Sequence, residues 1–217
     1  MTLKEIYNGV RWCIDEESGS QDYEDTYLDH LIKSKIEFSL RWCALNANID
    51  YLTSENESGT GDLITDYSVQ QTQAGSVITL PRNILRLVRV RCSGWNKAVS
   101  NFIEEDSEEY LMQSDETSKA TCDRPVVAII RKSPRQIELF PSYNAGDTVE
   151  YSIVVSPSVG DLSNASDETT VNVPEKMVGG FLYYIAFLVM SARNDNKAAT
   201  MLAIARQSLG LDTTTTT

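Results

Sequence analysis

Along the first fifty residues apolar side chains recur with a helical period. Leu3, Ile6, Tyr7, Val10, Cys13 and Ile14 share one face of a helix over about residues 3–14. Thr2 and Glu5 stand at capping-box spacing, so each side chain can satisfy a free backbone N–H at the helix start. The acidic, Gly/Ser-bearing stretch 15–21 breaks the pattern. A longer helix is predicted from about Tyr23 to Leu52, with Asp22 as its N-cap and Glu24, Asp25 and Asp29 near the positive end of its dipole. Tyr27, Leu28, Leu31, Ile32, Ile36, Leu40, Cys43 and Ala47 make its main stripe. Phe38, Trp42 and Leu45 widen that stripe beyond one face. A helix that is apolar on two sides expects two neighbours, so these three residues are the candidate helix interface with a partner subunit.

The pattern then changes. Residues 54–73 are polar and glycine-dotted, with one short strand expected at Leu63–Tyr67. Val77–Leu80, Ile84–Cys92, Val126–Ile130, Gln136–Phe140 and Thr148–Val155 are short runs rich in β-branched residues, punctuated by Pro81, Gly94, Pro134, Pro141 and Asn144–Asp147. The last two runs, joined by Pro141 to Gly146, read as a hairpin. A polar linker follows Pro157. Helical spacing returns over about 174–192, with Pro174 at the first helical position, and over about 195–209, capped by Asn194-Asp195 and stopped by Gly210. The predicted class is α+β: N- and C-terminal helix pairs form an antiparallel bundle that carries a central antiparallel sheet or sandwich. The expected divisions are 1–53 with 172–211 for the bundle, 54–171 for the β domain, and 212–217 for a flexible threonine tail.

Charge narrows the function. The 217 residues carry 31 acidic and 19 basic side chains, a formal charge of −12. That balance disfavours wrapping nucleic acid and keeps copies apart until a specific contact forms. The N-terminal stretch Met1-Thr2-Leu3-Lys4-Glu5 lacks a signal peptide's apolar run. The 16 uncharged residues between Lys176 and Arg193 fall short of the ~20 that span a bilayer, so a buried core helix is expected. Cys13, Cys43, Cys92 and Cys122 form no C-x-x-C pair and read as reduced intracellular thiols.

Candidate chemistry is sparse. His30 is the single histidine and has charged neighbours, as a solvated residue would. No phosphate-binding glycine loop, nucleophile elbow or zinc-protease motif occurs, so no catalytic residue, cofactor or metal is assigned. Glu104–Glu109 holds five carboxylates in six positions without calcium-loop spacing, and reads as a solvated turn. Asp161, Asp167 and Glu168 read the same way. Nine of the nineteen basic residues fall in the β region, among them Arg82, Arg86, Arg89, Arg91, Arg131, Lys132 and Arg135. Two readings stand: ion pairs with acidic loops of the same sheet, or contacts with an acidic neighbouring subunit or with DNA in a channel.

Three stretches carry a family resemblance: Val77-Ile78-Thr79-Leu80-Pro81 followed by Ile84–Arg91; Pro134–Val155 with Ile137-Glu138-Leu139-Phe140-Pro141; and Val173-Pro174-Glu175 opening a helix that ends Ser191-Ala192-Arg193-Asn194-Asp195. Together with the N-terminal helix pair they make the chain resemble podovirus-type phage head-to-tail connector (adaptor, or tail tubular) proteins, including those of crAss-like phages. The resemblance implies a non-catalytic virion protein at the head–tail junction, assembled in the host cytoplasm. It implies a homo-oligomeric ring of about twelve copies, with the portal above and a tail hub or second ring protein below. DNA would pass through the channel without sequence-specific contacts, and no membrane would be involved. The competing readings are a non-catalytic carbohydrate- or host-surface-binding β domain, which would need an exposed aromatic platform, and a small enzyme, which would need a polar pocket.

Overall fold

The computed structural model describes residues 1–14, 23–53, 63–130, 135–160, 162 and 165–211. The Asp22 cap, the 15–21 break, Asp161, Pro134, Arg131, Lys132 and the threonine tail lie outside them. The chain is mixed α+β and forms two compact units, Met1–Leu63 with Ser156–Thr217, and Ile64–Val155.

The first unit holds α1 (Leu3–Cys13), α2 (Tyr23–Asn46), α4 (Val178–Ala192) and α5 (Ala198–Ser208). The capping box forms: Glu5 N–H donates to Thr2 Oγ1 at 3.2 Å and Thr2 N–H to Glu5 Oε2 at 2.7 Å. Leu3, Ile6, Tyr7, Val10 and Cys13 are buried, as the α1 stripe requires. Arg11 ties α1 to α2 through a 2.7 Å ion pair with Asp29. Helix α4 is central: it packs against α1, α2 and α5 and buries Phe181, Ile185, Ala186 and Val189 completely. By length and composition Glu175–Ala192 could cross a membrane, and 44% of it is buried within this unit.

Three helix boundaries differ from expectation. Helix α2 stops at Asn46, not Leu52, because the Asn46 side-chain amide donates to Trp42 O at 2.8 Å and the Asn48 N–H turns to Leu209 O at 3.1 Å. The expected helix at 174 begins with a 3₁₀ turn, Glu175–Met177, before α4 proper. The last helix starts at Ala198 because Asn194, at φ 58°, ends α4 in a Schellman turn, with Asp195 N–H on Met190 O and Asn194 N–H on Ser191 O. Gly210 (φ 68°) closes α5 by the same motif, as its position predicted.

The second unit is a two-sheet sandwich. One sheet runs β1 (Ile64–Gln70), β7 (Thr148–Val155), β3 (Ile84–Cys92); the other runs β2 (Gly75–Thr79), β6 (Gln136–Tyr143), β5 (Val126–Ile130), β4 (Ile103–Glu104). All pairs are antiparallel except β4–β5. Alternation fills the core: Val149, Tyr151, Ile153, Val90 and Cys92 from one sheet meet Ile78, Val127, Ile137 and Leu139 from the other. Trp95 closes one end, 3% exposed, with its indole N–H on Pro141 O at 3.2 Å. The expected 136–155 hairpin does not form. β6 and β7 belong to different sheets, and residues 144–147 carry the chain across the core. Both runs keep their apolar sides toward the same interior, so alternation alone cannot tell side-by-side pairing from face-to-face packing. The short strand expected at Leu63–Tyr67 forms as β1 and runs on to Gln70; residues 54–62 lie outside the described residues.

Candidate functional site

In the helical unit, α2 turns Leu28, Ile32, Ile36, Leu40, Cys43 and Ala44 inward. Phe38, Trp42 and Leu45 follow at spacings of four and three on another side, and Phe38 is 57% exposed. Trp42 stacks on Tyr184 of α4 with ring centroids 3.8 Å apart and planes at 5°. Phe38 and Phe187 flank the same ring at 6.3 and 5.6 Å. Ile49, in the 3₁₀ turn Ile49–Tyr51 after α2, is also exposed. Phe38 and Trp42 are thus held on this side of α2 by their stacking on the buried Tyr184. Burial pushes the Cys43 thiol up to about 12 and raises Tyr184 above its ordinary value. Tyr184, Phe187 and Ile49 escaped sequence reasoning, although position 49 continues the 38–42–45 spacing.

In the sandwich, a cavity of about 480 Å³ opens among Leu80, Leu85, Leu87, Ile129 and Ile130, with Arg86, Arg135 and Glu104 as its charged groups. Arg86 is half-buried, which lowers its pKa from the ordinary guanidinium value without discharging it. Arg135 Nη1 donates to Leu85 O at 3.2 Å. The cavity thus sets two guanidinium groups and one carboxylate beside apolar side chains.

Arg89 and Arg91 point outward from β3, where Arg91 faces Glu150 and Arg89 faces Ser152 in the strand register. Arg82 is exposed in the β2–β3 turn. The basic set thus divides between a cavity pair and an outward strand pair.

The acidic run is not only a solvated turn. Ser107 caps a short helix, α3 (Glu108–Leu111), by accepting the Tyr110 N–H at 3.2 Å. The signal was present: a serine followed by two glutamates is a helix N-terminus. Tyr110 fastens this helix to β6, donating to Glu138 Oε2 at 2.7 Å and meeting Phe140 edge-on at 5.8 Å. That hydrogen bond, ahead of burial and the charges of Glu138 and Glu105, pushes Tyr110 up to about 12. The next residues, Leu111 and Met112, are 68% and 44% exposed.

His30 is exposed. Among the described residues no three His, Cys, Asp or Glu side chains gather as a metal site. Trp95, the one tryptophan of the sandwich, is in the core and presents no binding platform. No curated protein matches the chain. The family model for the SU10 adaptor protein matches residues 1–217. The chain therefore belongs to the SU10 adaptor protein family and is a structural adaptor protein of a phage.

Proposed function

We propose that this adaptor acts at the head–tail junction as a ring of about twelve copies below the portal, prolonging the DNA channel and offering its lower rim to the next tail component. One observation carries the reading: a member of an adaptor family presents two chemically unlike surfaces, the Phe38–Trp42–Leu45 face of one unit and the Arg86–Arg135 cavity of the other. A closed ring between two partners requires unlike surfaces, because each copy meets its neighbour head to tail and meets different proteins above and below. The α2 face serves a partner subunit or the portal, and Arg82, Arg89 and Arg91 serve subunit or channel contacts. The net charge of −12 suits a lumen that repels phosphate and lets DNA pass. Assembly takes place in the host cytoplasm, on portals already set in heads.

Phage made without this protein provides the test. The reading expects DNA-filled heads that carry a portal and no tail, rescued by adding the purified protein. Complete, infectious particles in its absence would refute it.

A further inference from the structure

We infer that the free protein pairs with a second copy of itself through α2, the two helices lying antiparallel about a two-fold axis at Phe38. Tyr27, Leu31, Phe38 and Leu45 form a row on the side of α2 away from its buried face. Leu31, Phe38 and Leu45 recur every seven residues, which is two helical turns less about 20°, so the row runs nearly straight along the helix. Tyr27, Phe38 and Leu45 are 58%, 57% and 41% exposed, and Leu31 is half-buried. Apolar residues at this spacing are what one helix presents to another helix.

The row is complementary to itself. From either end it reads Leu, Phe, Leu at equal spacing, so a two-fold at Phe38 sets Phe38 against Phe38 and Leu31 against Leu45, twice. Charge selects the antiparallel direction. Glu37 and Arg41 are exposed on the same flank of the row, about one turn apart, and like flanks meet when two helices run antiparallel. Glu37 of each copy then comes beside Arg41 of the other, giving two opposite-charge pairs along the apolar seam while the helix dipoles oppose. Copies of charge −12 can adhere there because the local pairing is attractive where the global field repels. The size of the contact sets its strength. Tyr27 and Phe38 leave roughly 170–290 Å² of aromatic surface in each copy, about a fifth to a third of the ~800 Å² that each partner gives to a standard interface. A contact built on one such row is weak and reversible, formed at micromolar concentrations and lost on dilution. A two-fold contact also closes with two copies and cannot propagate round a ring. The pair therefore covers the α2 row before assembly and gives it up when the ring forms; it goes beyond the ring reading and is tested without a portal.

The test uses the full chain with a Cys122→Ser background, since Cys13, Cys43 and Cys92 are buried. Sedimentation velocity over a micromolar concentration series should show monomer passing to dimer. Phe38→Asp should stay monomeric throughout while keeping its folded circular dichroism spectrum. Arg41→Glu should weaken the pair by about threefold or more, and Glu37→Arg added to the same chain should recover much of the loss. A short bismaleimide should link copies bearing Leu31→Cys to copies bearing Leu45→Cys. It should not link Leu31→Cys copies to one another, since about 21 Å along the helix axes separates those positions in the antiparallel pair. A monomer at every concentration, a dimer that Phe38→Asp leaves intact, or linkage of Leu31→Cys copies to one another would overturn the pairing. Each of these results leaves the ring standing, because the ring is read from portal-bearing heads.

Discussion

Replacing Phe38 with Asp separates folding from assembly. The side chain is 57% exposed, and Trp42 rather than Phe38 makes the close stack with Tyr184. The covered part of Phe38, roughly 65–110 Å² of a phenylalanine's 150–250 Å², contributes about 1.5–2.7 kcal/mol to stability at about 25 cal/mol per Å². A phenylalanine presents about 150–250 Å² to burial, so roughly 85–140 Å² of it awaits a partner. At about 25 cal/mol per Å² the partner gains about 2–3.5 kcal/mol from covering it, or about 30- to 400-fold in affinity. An aspartate there adds a desolvation penalty in the same direction. The assay is paired: thermal unfolding of the isolated protein, and its incorporation into portal-bearing heads measured over a concentration series. Unfolding should move by about 3–10 °C, leaving the protein folded at the assay temperature, while incorporation weakens at least thirty-fold. Undiminished incorporation with an intact fold would show that the α2 face stays in solvent, and the reasoning from its exposed stripe would fail.

Other consequences are testable on the isolated protein. A Cβ at Gly180 would run into Leu209, so Gly180→Ala should destabilise, its overpacking of about 1–3 kcal/mol exceeding the roughly 1 kcal/mol gained in helix propensity. At Gly179 the nearest atom is Ser208 Cβ at 3.9 Å, so Gly179→Ala should stabilise by about 0.4–1 kcal/mol; equal melting shifts would contradict the packing described. Cys122 should take up a maleimide quickly while the buried thiols of Cys13 and Cys43, raised to about 11 and about 12, react only on unfolding. Four fast thiols would refute the core assignment. Tyr110 keeps its proton to about 12 in the folded chain against 10.0 ordinarily, so its contribution is full below pH 10 and fades as pH rises toward 12. The melting-temperature gap between the native chain and Tyr110→Phe should close over that window, and a gap independent of pH would remove the Glu138 bond from the account.

Local signals in the sequence were sufficient where one residue's chemistry decides the outcome. The Thr2–Glu5 box, the Gly210 stop and the apolar stripe of α1 form as their spacings require. So does the α+β class, because period-3.6 and period-2 patterning occupy different stretches of the chain. Long-range pairing was less legible. Residues 136–143 and 148–155 carry the alternation of a hairpin, yet the alternation is satisfied equally by strands facing each other across a core. Helix α2 ended early because Asn46 and Asn48 found other partners, one of them the carbonyl of Leu209 far along the chain. For the candidate surfaces, the sequence carried Phe38, Trp42 and Leu45 from spacing alone. It also marked the arginines, though not their division between a cavity and a strand face, which depends on the two register shifts within β3. Helix α3 was hidden by its own charge: a run of carboxylates looks like solvent until Ser107 is seen as a cap.

The central claim is that these copies close into a ring on a portal. Native mass spectrometry of the purified protein with portal particles tests it most directly. The account predicts a symmetric set of added subunits, about twelve per portal, bound all together rather than one at a time. A protein that stays monomeric beside every portal of its own phage, or adds in a continuous, unsaturated series, would contradict it.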